Sequence, residues 1–102
     1  MLSNCVGLDK DGISLEEVKQ LKEKITKEQK CQVIVYQTKR GFHLILIYTR
    51  NILKKENFKI REKYGDCKER IRRSLLRSET PEVPYDILFS IKDGIWRKRV
   101  WI

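Results

Sequence analysis

Apolar and polar positions recur along this chain with two different periods, and the changes of period mark the elements. Leu15, Val18, Leu21 and Ile25 share one helix face, with Lys19, Lys22, Glu23, Lys27 and Glu28 on the others. Ser14 and Glu17 stand where a capping box would open that helix. Its acidic residues come early and its lysines late, which complements the helix dipole. The spacing predicts a helix that ends before Cys31. Residues 31–49, CQVIVYQTKRGFHLILIYT, change to period two and are rich in β-branched and aromatic residues. With Arg40-Gly41 in the middle they predict a β-hairpin. Arg disfavours positive φ, so a type I turn with a glycine bulge competes there with type I′. Val33 and Val35 oppose Ile34 and Tyr36 across the first strand. In the second, Phe42, Leu44, Leu46 and Tyr48 oppose His43, Ile45 and Ile47, so both faces are apolar.

A similar pattern returns in residues 83–102, VPYDILFSIKDGIWRKRVWI. Setting Gly94 on Gly41, an offset of 53, places Ile87 on Ile34, Phe89 on Tyr36, Trp96 on His43 and Trp101 on Tyr48. Upstream it places Gly65 on Gly12, Glu69 on Glu16 and Ile71 on Val18. Such self-similarity governs the architecture wherever it holds. Asp93-Gly94 suits a type I′ turn. Asp66 and Glu69 resemble a second capping box, opening a helix with Cys67, Ile71 and Leu75 as its buried stripe and Leu76 beside it. Pro81 and Pro84 cannot continue that helix. Residues 51–64 fit either a short strand at 58–61 or a helix carrying Leu53, Ile60 and Tyr64. The expected architecture is a single α+β domain over residues 1–102, in two layers. It would consist of two tandem pseudo-symmetric α-β-β units with antiparallel hairpins, about residues 1–50 and 54–102, with room for a short strand before each helix. Two helices cover one face of a sheet.

Composition narrows the setting. The formal net charge is +9, with the larger excess in residues 51–102, which favours an anionic partner. Lys, Glu, Arg and Ile abound while Asn and Gln are sparse, a hyperthermophile's balance. The longest apolar run, residues 42–48, falls far short of the roughly 20 residues of a bilayer span. The start, MLSNCVGLDKDG, has no basic segment followed by an apolar run. A soluble intracellular protein with no membrane partner is expected. Cys5, Cys31 and Cys67 are odd in number and form no CxxC, which argues against a disulfide framework and leaves a single bridge open. In size and overall pattern, along its whole length, the chain resembles small proteins of filamentous viruses that infect the archaeon Acidianus. That resemblance implies a viral protein in the cytoplasm of a hyperthermophilic host. It implies no activity and carries no functional residues with it.

Catalytic motifs are missing. No Gly-rich segment ends in GK[ST]. Zinc would need Cys5, Cys31, Cys67 and His43 together, and none is paired in sequence. His43, the sole histidine, has no obvious nucleophile opposite it. Asp86, Ser90, Lys92 and Asp93 invite comparison with a metal-dependent nuclease, but Ser90 stands where a carboxylate would precede Lys92. The expectation is no enzyme, no cofactor and no metal. Two binding readings remain. The first is a protein or peptide segment taken at the seam between the repeats or on an apolar sheet face, through Tyr36, His43, Tyr48, Phe89, Trp96 and Trp101. A homodimer would cover such a face equally well. Ordinary core packing is the competing account of those aromatics. The second is nucleic acid, held by Arg70, Arg72, Arg73 and Arg77 on the second helix and by Arg97 and Arg99 between the tryptophans. A merely solvated helix face is the competing account there.

Overall fold

The computed structural model describes residues 3–79, 86, 91–92 and 95–102. Along them run β1 (Ser3–Asp11), α1 (Leu15–Gln29), β2 (Gln32–Gln37), β3 (Gly41–Ile52), α2 (Lys54–Lys63), α3 (Lys68–Ser78), β4 (Ile91–Lys92), β5 (Ile95–Trp96) and β6 (Lys98–Val100). Four strands form an antiparallel sheet in the order β1-β3-β2-β6, and β4 pairs with β5 apart from it. The fold is a small two-layer α+β arrangement.

Residues directly opposite in neighbouring strands share a face. Leu44 lies between Leu8 and Val35, and Leu46 between Val6 and Val33. These six are buried, as are Phe42 and Tyr48 on the same side of β3. Val18 and Ile25 of α1, with Ile60 of α2 and Tyr64 just after it, complete that core. The capping box forms as expected: the Glu17 N–H donates to Ser14 Oγ at 3.1 Å and the Ser14 N–H to Glu17 Oε1 at 3.3 Å. The opposite sheet face carries Ile34, Ile45 and Ile47, all half-buried.

Four expectations change. Residues 54–63 are helix, so a strand precedes a helix in the first half alone; the stretch that the 53-residue offset sets against β1 lies on α2 and its C-terminal cap. The buried positions there, Asn57, Ile60, Arg61 and Tyr64, have helical spacing, but two are polar and hide the period. Helix α3 begins at Lys68 with Cys67 as its cap residue, because the Asp66 carboxylate is engaged elsewhere. Its buried positions are Arg70 and Ser74; Cys67 and Ile71 are half-buried, while Leu75 and Leu76 are exposed. The return strand of the second hairpin is split at Arg97: β5 stays with β4, and β6 crosses to β2. The two halves therefore meet within one sheet, at the β2–β6 pair. The expected strand over 87–90 and the Asp93-Gly94 turn lie outside the described residues.

Candidate functional site

The C-terminal segment carries the two most exposed aromatic side chains among the described residues. Trp96 is 66% and Trp101 79% exposed, the highest values among the described large hydrophobic residues. Arg97, Lys98 and Arg99 stand between them. Val100 and Ile102 anchor the segment by packing against the core, and Val100 lies opposite Val35. Alternation then turns Arg99 to the other face, opposite Tyr36. The Arg99 guanidinium lies 3.8 Å from the centre of the Trp101 ring, and that of Arg97 lies 4.1 Å from the centre of the Tyr36 ring. Both are cation–π contacts.

Behind Arg97 sits His43, whose side chain is 2% exposed. Its Nδ1 is 3.4 Å from Arg97 Nη1 and its Nε2 is 3.6 Å from Asp9 Oδ1. Asp9 and Tyr36 are its cross-strand neighbours from β1 and β2. Aspartate, imidazole, guanidinium and phenol thus form one continuous group on the face that the core does not use.

The six residues expected to bind a partner do not converge. Tyr36 and His43 belong to this group, with Trp96 and Trp101 exposed on the segment beside it. Phe89 lies outside the described residues. Tyr48 points into the core, where its hydroxyl donates to Gln29 Oε1 at 3.0 Å. Gln29 Nε2 donates to the Tyr64 hydroxyl at 3.1 Å, which donates to Glu28 Oε1 at 2.8 Å. Tyr64's hydrogen bond holds the Glu28 carboxyl below its ordinary range. Burial pushes the Tyr48 phenol well above its usual value, with the Cys31 thiol and the Tyr64 phenol adding to the push. Burial likewise raises Cys31 and Tyr64.

These raised values make an alkaline prediction. The native state holds the three protons more tightly than the unfolded chain does. Stability is therefore whole below the unfolded values, about 9 for the thiol and about 10 for the phenols, and drains away as pH rises past them. The tyrosinate absorbance of Tyr48 and Tyr64 should lag behind pH 10 and accompany unfolding. All four tyrosines ionising together near pH 10 would contradict this.

The arginines expected to bind nucleic acid also divide. Arg70 is buried between the Asp66 and Asp86 carboxylates and donates to the Gly7 carbonyl at 3.0 Å. It is a structural residue, and no ligand reaches it without unpacking α3. Arg72 and Arg73 are exposed and share the Glu69 carboxylate, whose value is lowered first of all by Arg72. Arg77 is half-buried, as is Arg97, while Arg99 is exposed.

Sequence reasoning missed Asp9 beside His43 and the buried network of Asn57, Arg61, Asp66, Ser74 and Asp86. Asp66 and Arg70, four positions apart on consecutive turns, were the one available signal for that network. Cys5, Cys31 and Cys67 form no disulfide with one another. Among the described residues no three His, Cys, Asp or Glu side chains gather as a metal-holding group, and no helix is long and apolar enough to cross a membrane. No protein-family model, curated protein sequence or solved structure matches the chain.

Proposed function

We propose that the protein binds single-stranded nucleic acid along its C-terminal segment. The observation that carries this reading is the exposure of Trp96 and Trp101 on either side of Arg97, Lys98 and Arg99. Indole left in water forgoes the gain of burial. Bases stack on such rings whatever their sequence, and the intervening cations meet phosphates. The layout also suits the task, since α1 and α2 pack on the core face while Tyr36, Arg99 and Trp101 lie on the opposite one. Sheets that bind single-stranded RNA use aromatics in this way.

Trp96 and Trp101 are the chain's two tryptophans, so intrinsic fluorescence reports on this segment alone. Titration with oligothymidylate or oligouridylate should quench it saturably. If Lys98 and Arg99 each meet one phosphate, log K should fall with log salt at a slope of about −1.4, from about −0.7 per contact. Trp101→Ala should weaken binding by about 5- to 150-fold, the worth of one stacked base. Absence of quenching at low salt, or an affinity indifferent to salt, would refute the reading.

A protein segment remains the second reading. β6 pairs with Val35–Gln37 alone, so among the described residues the outer edge of residues 32–34 has no strand partner. An extended peptide could continue β6 there, beside the half-buried Ile34, Ile45 and Ile47. Its mark would be peptide binding that salt barely alters.

A further inference from the structure

His43 is placed to control the segment just described. A guanidinium has five N–H donors and no acceptor. The approach of Arg97 Nη1 to His43 Nδ1, 3.4 Å, therefore calls for a lone pair on Nδ1. That puts the imidazole proton on Nε2, on the side of the Asp9 carboxylate. Asp9 from β1, Tyr36 from β2 and Arg97 from between β5 and β6 face the ring. A second proton must go to Nδ1. Two donors and two positive charges then confront each other, while the new imidazolium keeps its carboxylate on the far side. The group that gives way is Arg97, which lies on a partly exposed segment.

Arg97 has a second position to lose, because its guanidinium covers the Tyr36 ring. Displacing it uncovers an aromatic face and frees a cation at the same moment, next to Arg99 and Trp101. Resting on the nucleic-acid reading above, we infer that protonation of His43 releases Arg97 and switches this face to a tighter grip on a single strand. Affinity rises as pH falls through the titration of His43. The gain is one phosphate contact and one stacking surface, on the order of fivefold or more. The salt slope steepens by about 0.7, the increment for one phosphate on a single strand.

The test is the oligothymidylate titration at two pH values, one on each side of the midpoint that the His43 Cε1–H resonance shows by NMR. His43 is the only histidine, so no other imidazole can contribute. The wild type should bind more tightly, with a steeper salt slope, at the lower pH. Arg97→Gln should bind with one affinity at both. It alters a partly exposed residue and leaves the core packing of Val100 and Ile102 in place. His43→Gln should do the same, and the unmodified protein guards against a folding defect in that variant. In its NMR spectrum the single His43 Cε1–H and the Arg97 Nε–H resonances should shift with one common midpoint. Equal affinity of the wild type at both pH values, or separate midpoints, overturns the switch and leaves the nucleic-acid reading standing. Absence of binding at both pH values overturns the two together.

Discussion

Replacing Asp66 by alanine is expected to remove about 3–5 kcal/mol of stability, the cost of stripping a buried charge of its partner. Its carboxylate has no exposure and collects four donors. Arg61 Nε lies at 2.7 Å, the Asp9 N–H at 2.8 Å and the Cys67 N–H at 2.9 Å, with Arg70 Nη1 as the fourth. Arg61 is fully buried and its other partners are neutral, Asn57 Oδ1 at 3.2 Å and Ser74 Oγ at 3.0 Å. Without Asp66 its charge is uncompensated. The network also closes the sheet. β1 is an edge strand, and its outward Gly7 and Asp9 N–H groups donate to the Asp86 and Asp66 carboxylates, each at 2.8 Å. An edge covered in this way cannot recruit another chain. Small domains have roughly 5–15 kcal/mol in all, so the variant should be close to unfolding. Urea unfolding would show a much lower midpoint at unchanged slope. Arg61→Met should be milder, because Asp66 keeps Arg70 and both amides. A loss below about 1 kcal/mol in the alanine variant would mean that the carboxylate does not offset Arg61.

Gly41→Ala is the second large effect, at about 3 kcal/mol or more, at or beyond the upper end of what overpacking usually costs. A Cβ at position 41 would sit 2.0 Å from the Lys10 carbonyl oxygen and 2.7 Å from Asp11 Cα. Both are backbone atoms, which no rotamer change can move aside. The strand end is also pinned on both sides. The Gly12 N–H donates to the Arg40 carbonyl at 2.9 Å, and the Thr38 N–H to the Gly41 carbonyl at 2.8 Å. Gly12→Ala makes the control: its φ is +73° and its Cβ would meet open space, so strain of about 1–2 kcal/mol is all it adds. Thermal unfolding of the two variants should rank them clearly. Equal losses would show that β1 yields at Lys10 and that contact is not what excludes a side chain at Gly41.

Gly41 also shows how far the sequence could be read. It was legible as the glycine of a hairpin, and a hairpin is there. The reason assigned, a turn needing positive φ, is not the operative one; Gly12 and Gly65 are the described glycines with positive φ. Gly41 is needed because β1 passes over it, and nothing local records the approach of a strand 30 residues upstream in the chain. Helix α1 and the strands β2 and β3 were legible because their apolar residues fall on one period each; which face of the strands is core was not, since both are apolar. Helix α3 was legible as a helix and misread in its orientation. Arg70 and Ser74 turn inward since two aspartates and Arg61 await them, while Leu75 and Leu76 turn out. The candidate site divides along the same line. Trp96, Trp101, Arg97 and Arg99 are noticeable in any reading of the sequence. That Arg97 covers Tyr36 and touches His43, with Asp9 behind, follows from pairings that join β1, β2 and β3 with the segment between β5 and β6.

Hydrophobic burial is a property of each side chain, so its period along the chain by itself determined the α+β class, the first helix and the first hairpin, while both faces of that hairpin are apolar and only the packing of the helices chose the core one. Polar burial is a property of pairs. Which arginines are structural and which face the solvent, and which side of α3 turns inward, were decided only when distant carboxylates and guanidiniums met. An ion taken out of water must find its partner wherever the chain happens to place it.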